Sequence, residues 1–192
     1  MTWFFLTIAA VFLIVIESVF EKKTLTQTRS FEFSVLYAVG NALVLLPFFW
    51  LADFSRVTPV FVGIIFLASI PAALASFLVI KTIKHNELSE SAPLLALSPL
   101  IVTVFAYIVL GEKLTPLHLL GLFFIVGGMV VLELKNFKFK GGVFLVGRSK
   151  YLVYICLYLF LIGIGAIFDR VMLFRHGLDS LAYLLLIQIF IA

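Results

Sequence analysis

The chain has 192 residues, of which 64% are hydrophobic and only 12% charged, with 14 Lys and Arg against 10 Asp and Glu for a formal net charge of +4. A mean hydropathy of +1.23 lies far outside what a soluble domain of this size can dissolve, which excludes a water-soluble enzyme or binding module and points to an all-α, polytopic helical membrane protein. The basic excess sits around helix ends without a stripe of interleaved aromatics, so it reports orientation and headgroup contact and gives no footprint for nucleic acid.

A helix needs about 20 apolar residues to cross the hydrocarbon layer, and the apolar runs predict spans at 3–20, 31–52, 59–80, 91–110, 116–134 and 151–168, with a seventh beginning near 180 and cut off at 192. Membrane strands would alternate in polarity about every second residue, and runs such as 120–132 do not. No Lys or Arg precedes the first span and no cleavage-like site precedes Glu21, so this span reads as a retained helix and not as a secretory signal. Glu17 is the ionisable residue clearly inside an apolar run. A carboxylate there costs about 2.5–3.5 kcal/mol on insertion scales, which makes it a functional candidate, although its nearness to Lys22 also lets it reach the interface.

In the second span Ser34, Tyr37 and Asn41 share a face, and Asn41 is the deepest amide of the chain. It can bond a neighbouring helix, worth about 0.6–2 kcal/mol in membranes, or contact a substrate. The third span carries Pro71 and the small residues Ala68, Ala72 and Ser76 at every fourth position, a seam that lets two helices approach closely. In the fourth, Ser98 and Pro99 interrupt the run, and Pro99 shares a face with Thr103 and Tyr107. Proline frees a carbonyl that lipid cannot satisfy, so Pro71 and Pro99 are expected to face protein or a water-filled cavity.

Between the fourth and fifth spans lies only Gly111-Glu112-Lys113-Leu114-Thr115-Pro116, short enough to force an antiparallel hairpin. Gly111 suits the positive φ that ends a helix, Thr115 suits an N-cap and Pro116 a first turn, while Glu112 precedes that helix where its dipole favours a carboxylate. These four are read as a structural turn. Tyr151, Tyr154 and Tyr158 share a face of the sixth span, and the first two suit an interfacial belt. Cys156 is the one cysteine, so no disulfide framework or thiolate metal site is expected. His85, His118 and His176 are scattered, and neither a P-loop nor a G-x-S-x-G elbow occurs, so catalysis, metals and cofactors are not expected.

Placing Glu21-Lys22 on Asp169-Arg170 also places Phe20 on Phe168 and Trp3 on Tyr151. Five spans separate the two copies. Five is odd, so the second copy enters from the opposite side, as in an inverted-topology repeat. Ten Lys and Arg fall in the odd-numbered connections and four in the even-numbered ones, which by the positive-inside rule puts the odd connections in the cytoplasm.

The segments Lys81-Thr-Ile-Lys-His-Asn-Glu-Leu-Ser89, Ala92-Pro-Leu-Leu-Ala-Leu-Ser-Pro-Leu100 and Leu110-Gly-Glu-Lys-Leu-Thr-Pro116, followed by Leu120-Gly121 and Gly127-Gly128, resemble the EamA domain of the drug/metabolite transporter superfamily. The resemblance implies ten helices in two five-helix units around a mid-bilayer cavity, with a cytoplasmic amino terminus, opposite to the charge count. It divides the chain into a first five-helix unit at 1–134, a basic connecting loop at 135–150 and the start of a second, inverted unit at 151–192. The function expected is secondary transport of a small organic metabolite or drug by alternating access, in the cell membrane. Binding is expected between the third and fourth spans, closed by the first, second and sixth. The expected partners are a small-molecule substrate, the lipid bilayer and a second chain or dimer partner that completes the cavity. The other reading is a non-transporting structural or assembly subunit, or a half-transporter.

Overall fold

With no water at membrane depth, each backbone N–H and C=O must be satisfied within its own segment, and apolar runs therefore coil into helices. A computed structural model describes residues 2–133, 138–140, 143–145 and 150–192, with side chains throughout except at 2–3, 88–90, 132–133, 138–140, 143–145 and 150–152. The helices are α1 (Thr2–Leu25), α2 (Ser30–Leu45), α3 (Pro59–His85), α4 (Leu88–Leu95), α5 (Ser98–Leu110), α6 (Pro116–Glu133), α7 (Lys150–Arg170) and α8 (Ser180–Ile191). A 3-10 turn, Leu46–Leu51, extends α2, and a π-helical turn, Val171–Arg175, extends α7. Five helical stretches are long and apolar enough to cross a membrane, and Pro116–Val131 and Ser180–Ile191 are shorter apolar helices. This is an all-α polytopic membrane protein. Between α6 and α7 a short antiparallel ribbon pairs β1 (Lys138–Lys140) with β2 (Val143–Leu145), Phe139 opposite Phe144. Lys135 and Arg148 of the expected basic loop lie outside the described residues.

Polar contacts sort the connections onto two ends. At one end Lys22 Nζ donates to the carbonyls of Ile83 (2.6 Å), Lys84 (3.3 Å) and Asn86 (2.6 Å), filling acceptors that the end of α3 leaves open. There too Lys84 Nζ donates to Thr28 O at 2.6 Å, and the Lys81 ammonium lies 4.6 Å from the Tyr154 ring centroid. At the other end Arg170 pairs with Glu112 (3.0 Å), Arg56 Nη1 donates to Gly177 O (3.1 Å), and Asp53 N–H donates to Asp179 Oδ2 (3.3 Å). The first, third and fifth connections thus share one end, the second, fourth and sixth the other. It follows that α7 starts at the end where α1 finishes and runs antiparallel to it.

The middle of the bundle is α3, which packs most extensively along α7 and also against α8 and α2, while α5 covers another side of α7. Hydroxyls on these helices bond back to their own turns: Ser69 Oγ to Phe66 O (2.7 Å), Ser76 Oγ to Ala72 O (3.0 Å) and Thr82 Oγ1 to Leu78 O (2.8 Å). Polar side chains are thereby satisfied without leaving the helix. Two apolar clusters mark the ends of the bundle. Ile65, Met172, Leu178 and Tyr183 pack at the end of the even connections, and Leu25, Ile80 and Ile83 at the opposite end.

The fourth span is two helices. α4 stops at Leu95, and Ser98 and Pro99 are the first residues of α5, where a missing N–H has no cost. The interruption expected at Ser98 and Pro99 is thus the start of a new helix, whereas α3 runs through Pro71 unbroken. At the hairpin Gly111 takes φ +67° and Glu112 N–H reaches Ala106 O at 3.3 Å. Thr115 Oγ1 accepts from His118 N–H (3.3 Å), and Thr115 N–H faces His118 Nδ1 (3.4 Å), a reciprocal cap with histidine in the usual place of Glu or Gln. Gly111→Ala forces a side chain into the left-handed region and is expected to cost about 1–2 kcal/mol. The check is the midpoint of SDS-induced unfolding, with Gly121→Ala, a helical position where an added Cβ meets nothing within 4 Å, as the comparison expected to lose no stability.

Candidate functional site

Between α3 and α7, with α1, α2 and α8 closing it, lies a cavity of about 350 Å3. It exists because the facing side chains are small: Ala68, Ala72, Ala75 and Ser76 on α3 look across at Gly165 and Ala166 on α7. The seam expected only to pack helices thus also forms the wall of a space. Ala68 and Ile80, both lining it, are twelve residues apart, so the cavity extends about 18 Å along α3.

Two carboxylates reach this space from helices of opposite direction. Glu21 enters from the last turns of α1 and Asp169 from the last turn of α7. A tyrosine-bound carboxylate stands at each place, Glu17 beside Glu21 and Asp169 itself. Tyr37 Oη donates to Glu17 Oε1 at 2.5 Å, one helical turn before Glu21, and Tyr183 Oη donates to Asp169 Oδ1 at 2.6 Å. In both cases a tyrosine of the following membrane helix, α2 or α8, serves the carboxylate of the preceding one. Tyr37 and Tyr158 complete the polar lining with Ser76.

A neighbouring cavity of about 260 Å3 shares Tyr37 and Ser76 with the first and adds Ser34, Asn41 and Gln188. Here Asn41 stands beside the Tyr37 hydroxyl. Glu17, Tyr37 and Asn41 are therefore brought together. The other face named from sequence is elsewhere. Thr103 Oγ1 bonds back to Pro99 O (2.7 Å) and lines a separate cavity of about 300 Å3 with Glu112, His118 and Arg170, while Tyr107 is 57% exposed. The 350 Å3 cavity lies between the third and sixth spans, where binding between the third and fourth had been expected. Pro71 and Ser98 line none of the three, although Ala68 and Ala72 flank Pro71 on the wall.

Glu21, Asp169, Tyr158 and Tyr183 were missed as site residues. The repeat alignment that pairs Glu21 with Asp169 was the available signal, since it matches the two carboxylates that share the cavity. Glu112, read as part of a turn, also holds Arg170. Tyr154 lies under Lys81, and the side chain of Tyr151 is outside those described. Beyond the membrane segments, the Ser55 backbone N–H (2.9 Å) and then its side chain hold the Asp53 carboxyl below its ordinary value. Among the described residues no group of three His, Cys, Asp or Glu could hold a metal ion.

A family model described as "EamA-like transporter family" matches residues 1–134. Neither the curated proteins nor the solved structures contain a match to the chain.

Proposed function

The chain belongs to the EamA-like transporter family, and from that premise we propose that it moves a small organic metabolite or drug across the cell membrane by alternating access. The observation that carries this reading is the 350 Å3 cavity at membrane depth between α3 and α7, with an apolar cluster toward each end. Alternating access requires a central site whose two ends open in turn, and rocking of oppositely directed helix units is how inverted repeats achieve it. On this reading residues 1–134 form one unit, 135–150 connect, and 151–192 begin the oppositely inserted second unit. Separating Ile65 from Met172 and Tyr183, with release of Arg170 from Glu112, would open one end; separating Leu25 from Ile80 and Ile83 would open the other.

The test is flux. Proteoliposomes loaded with an isotopically labelled whole-cell metabolite extract are expected to release one or a few organic solutes saturably, as followed by mass spectrometry. Release no faster than from protein-free vesicles for every solute would overturn transport and favour a structural subunit.

A further inference from the structure

We propose that the cavity between α3 and α7 takes an organic monocation, an ammonium group on an apolar body, held by Glu21 and Asp169. This rests on the transporter reading and adds to it the sign of the substrate's charge.

The first support is an uncompensated charge balance. Of the residues lining the cavity, Glu21 and Asp169 are acidic and none is Lys, Arg or His. Five basic side chains near its two ends are committed elsewhere. Lys22 caps the end of α3, Lys84 donates to Thr28 O, Lys81 lies over Phe77 and Tyr154, Arg170 pairs with Glu112, and Arg56 bonds Gly177 O. Glu21 makes no hydrogen bond or ion pair with another described residue; one turn back Glu17 carries the same sign, and the ammonium of the adjacent Lys22 is given to the end of α3. A carboxylate held at membrane depth is costly unless it takes up a proton or meets a cation, and a cationic ligand supplies that counter-charge.

The second support is the remaining lining. Tyr37 and Tyr158 present rings whose faces attract cations, and the Tyr37 and Tyr183 hydroxyl protons are already given to Glu17 and Asp169. The other walls are alanine, glycine, leucine, isoleucine and valine, apart from Ser76. Such a surface suits an apolar body and offers no cationic donor to a carboxylate. Anions are repelled, and a zwitterionic amino acid gains at its ammonium but loses at its carboxylate. Because the two carboxylates come from opposite ends of a long cavity, the ammonium has a binding group near either end as access alternates.

The protein in lipid nanodiscs is titrated with radiolabelled phenethylamine and, separately, with tetraphenylphosphonium, and phenethylamine is competed with phenethyl alcohol, phenylacetate and L-phenylalanine. Saturable binding of at least one cation is expected, with the alcohol, acid and amino acid at least about tenfold weaker than the amine. Glu21→Gln with Asp169→Asn is expected to lower cation affinity at least about tenfold and to leave that of the alcohol within about twofold. The idea is overturned if neither cation binds, if the alcohol, acid or amino acid competes as well as the amine, or if the folded double variant keeps cation affinity. Should that variant not fold, the unmodified protein's preference among the four phenyl compounds decides alone. A saturable efflux of neutral or anionic metabolites from the extract-loaded vesicles would refute charge selection while leaving transport standing.

Discussion

Ala72→Trp is expected to reduce flux at least about tenfold while leaving the bundle folded. Ala72 stands on the α3 wall of the cavity, flanked one turn away by Ala68 and Ser76 and faced by α7. An indole there grows into space that is now empty, so it occupies substrate volume without displacing packed side chains, and the usual overpacking penalty of about 1–3 kcal/mol is largely avoided. Leu67→Trp, on an exposed position of the same helix, is the control and is expected to transport at the unmodified rate. The measurement is the initial rate of solute release from proteoliposomes, normalised to the monodisperse fraction on size-exclusion chromatography. Equal rates for both variants would remove the cavity from the transport path.

Gly163→Leu is expected to give the largest loss of stability. Gly163 is buried where α7 crosses α5, and a Cβ built on it would come within 3.1 Å and 3.2 Å of the Phe105 ring and 3.3 Å of Ile101 Cγ2. The Phe105 ring is itself held edge-on against Phe160, at 5.6 Å between centroids, so it cannot simply turn aside. A leucine must push α5 and α7 apart along their contact, at a cost of about 1–3 kcal/mol or more. Alanine needs the neighbours to yield only a few tenths of an ångström and should cost less. The comparison that isolates packing is Gly165→Ala, two residues along, where nothing lies within 4 Å of an added Cβ. That variant should unfold at the same SDS fraction as the parent or slightly higher, since alanine favours helix by about 1 kcal/mol over glycine.

Membrane spans are legible in this chain because an apolar run of bilayer width has few other ways to satisfy its backbone. Where those helices end is less so. The expected boundary at Phe20 stopped short of Glu21 and Lys22 because charge reads as loop, yet α1 continues to Leu25, its lysine held by the carbonyls that close α3. The same error at Phe168 left Asp169 outside the sixth span. Which helices touch is harder still. These helices are apolar on every side, so hydropathy gives no inner face, and the α3 contact with α7 had to come from three dimensions. The face of Pro99, Thr103 and Tyr107 is real as a face and lies away from the 350 Å3 cavity. The face of Tyr37 and Asn41 was legible, and the structure adds what it meets, namely Glu17.

The capacity of the α3–α7 chamber is set by atoms that are missing. Its narrow walls are thin because Ala68, Ala72, Ala75, Gly165 and Ala166 lack branches. A chamber cast this way can be resized one methyl group at a time, by exchanges such as alanine for valine or serine for alanine, with the surrounding helices left where they are. If solutes pass through this chamber as proposed, selectivity for molecular girth would be a graded property of a few codons, separable from the acidic groups proposed to read charge.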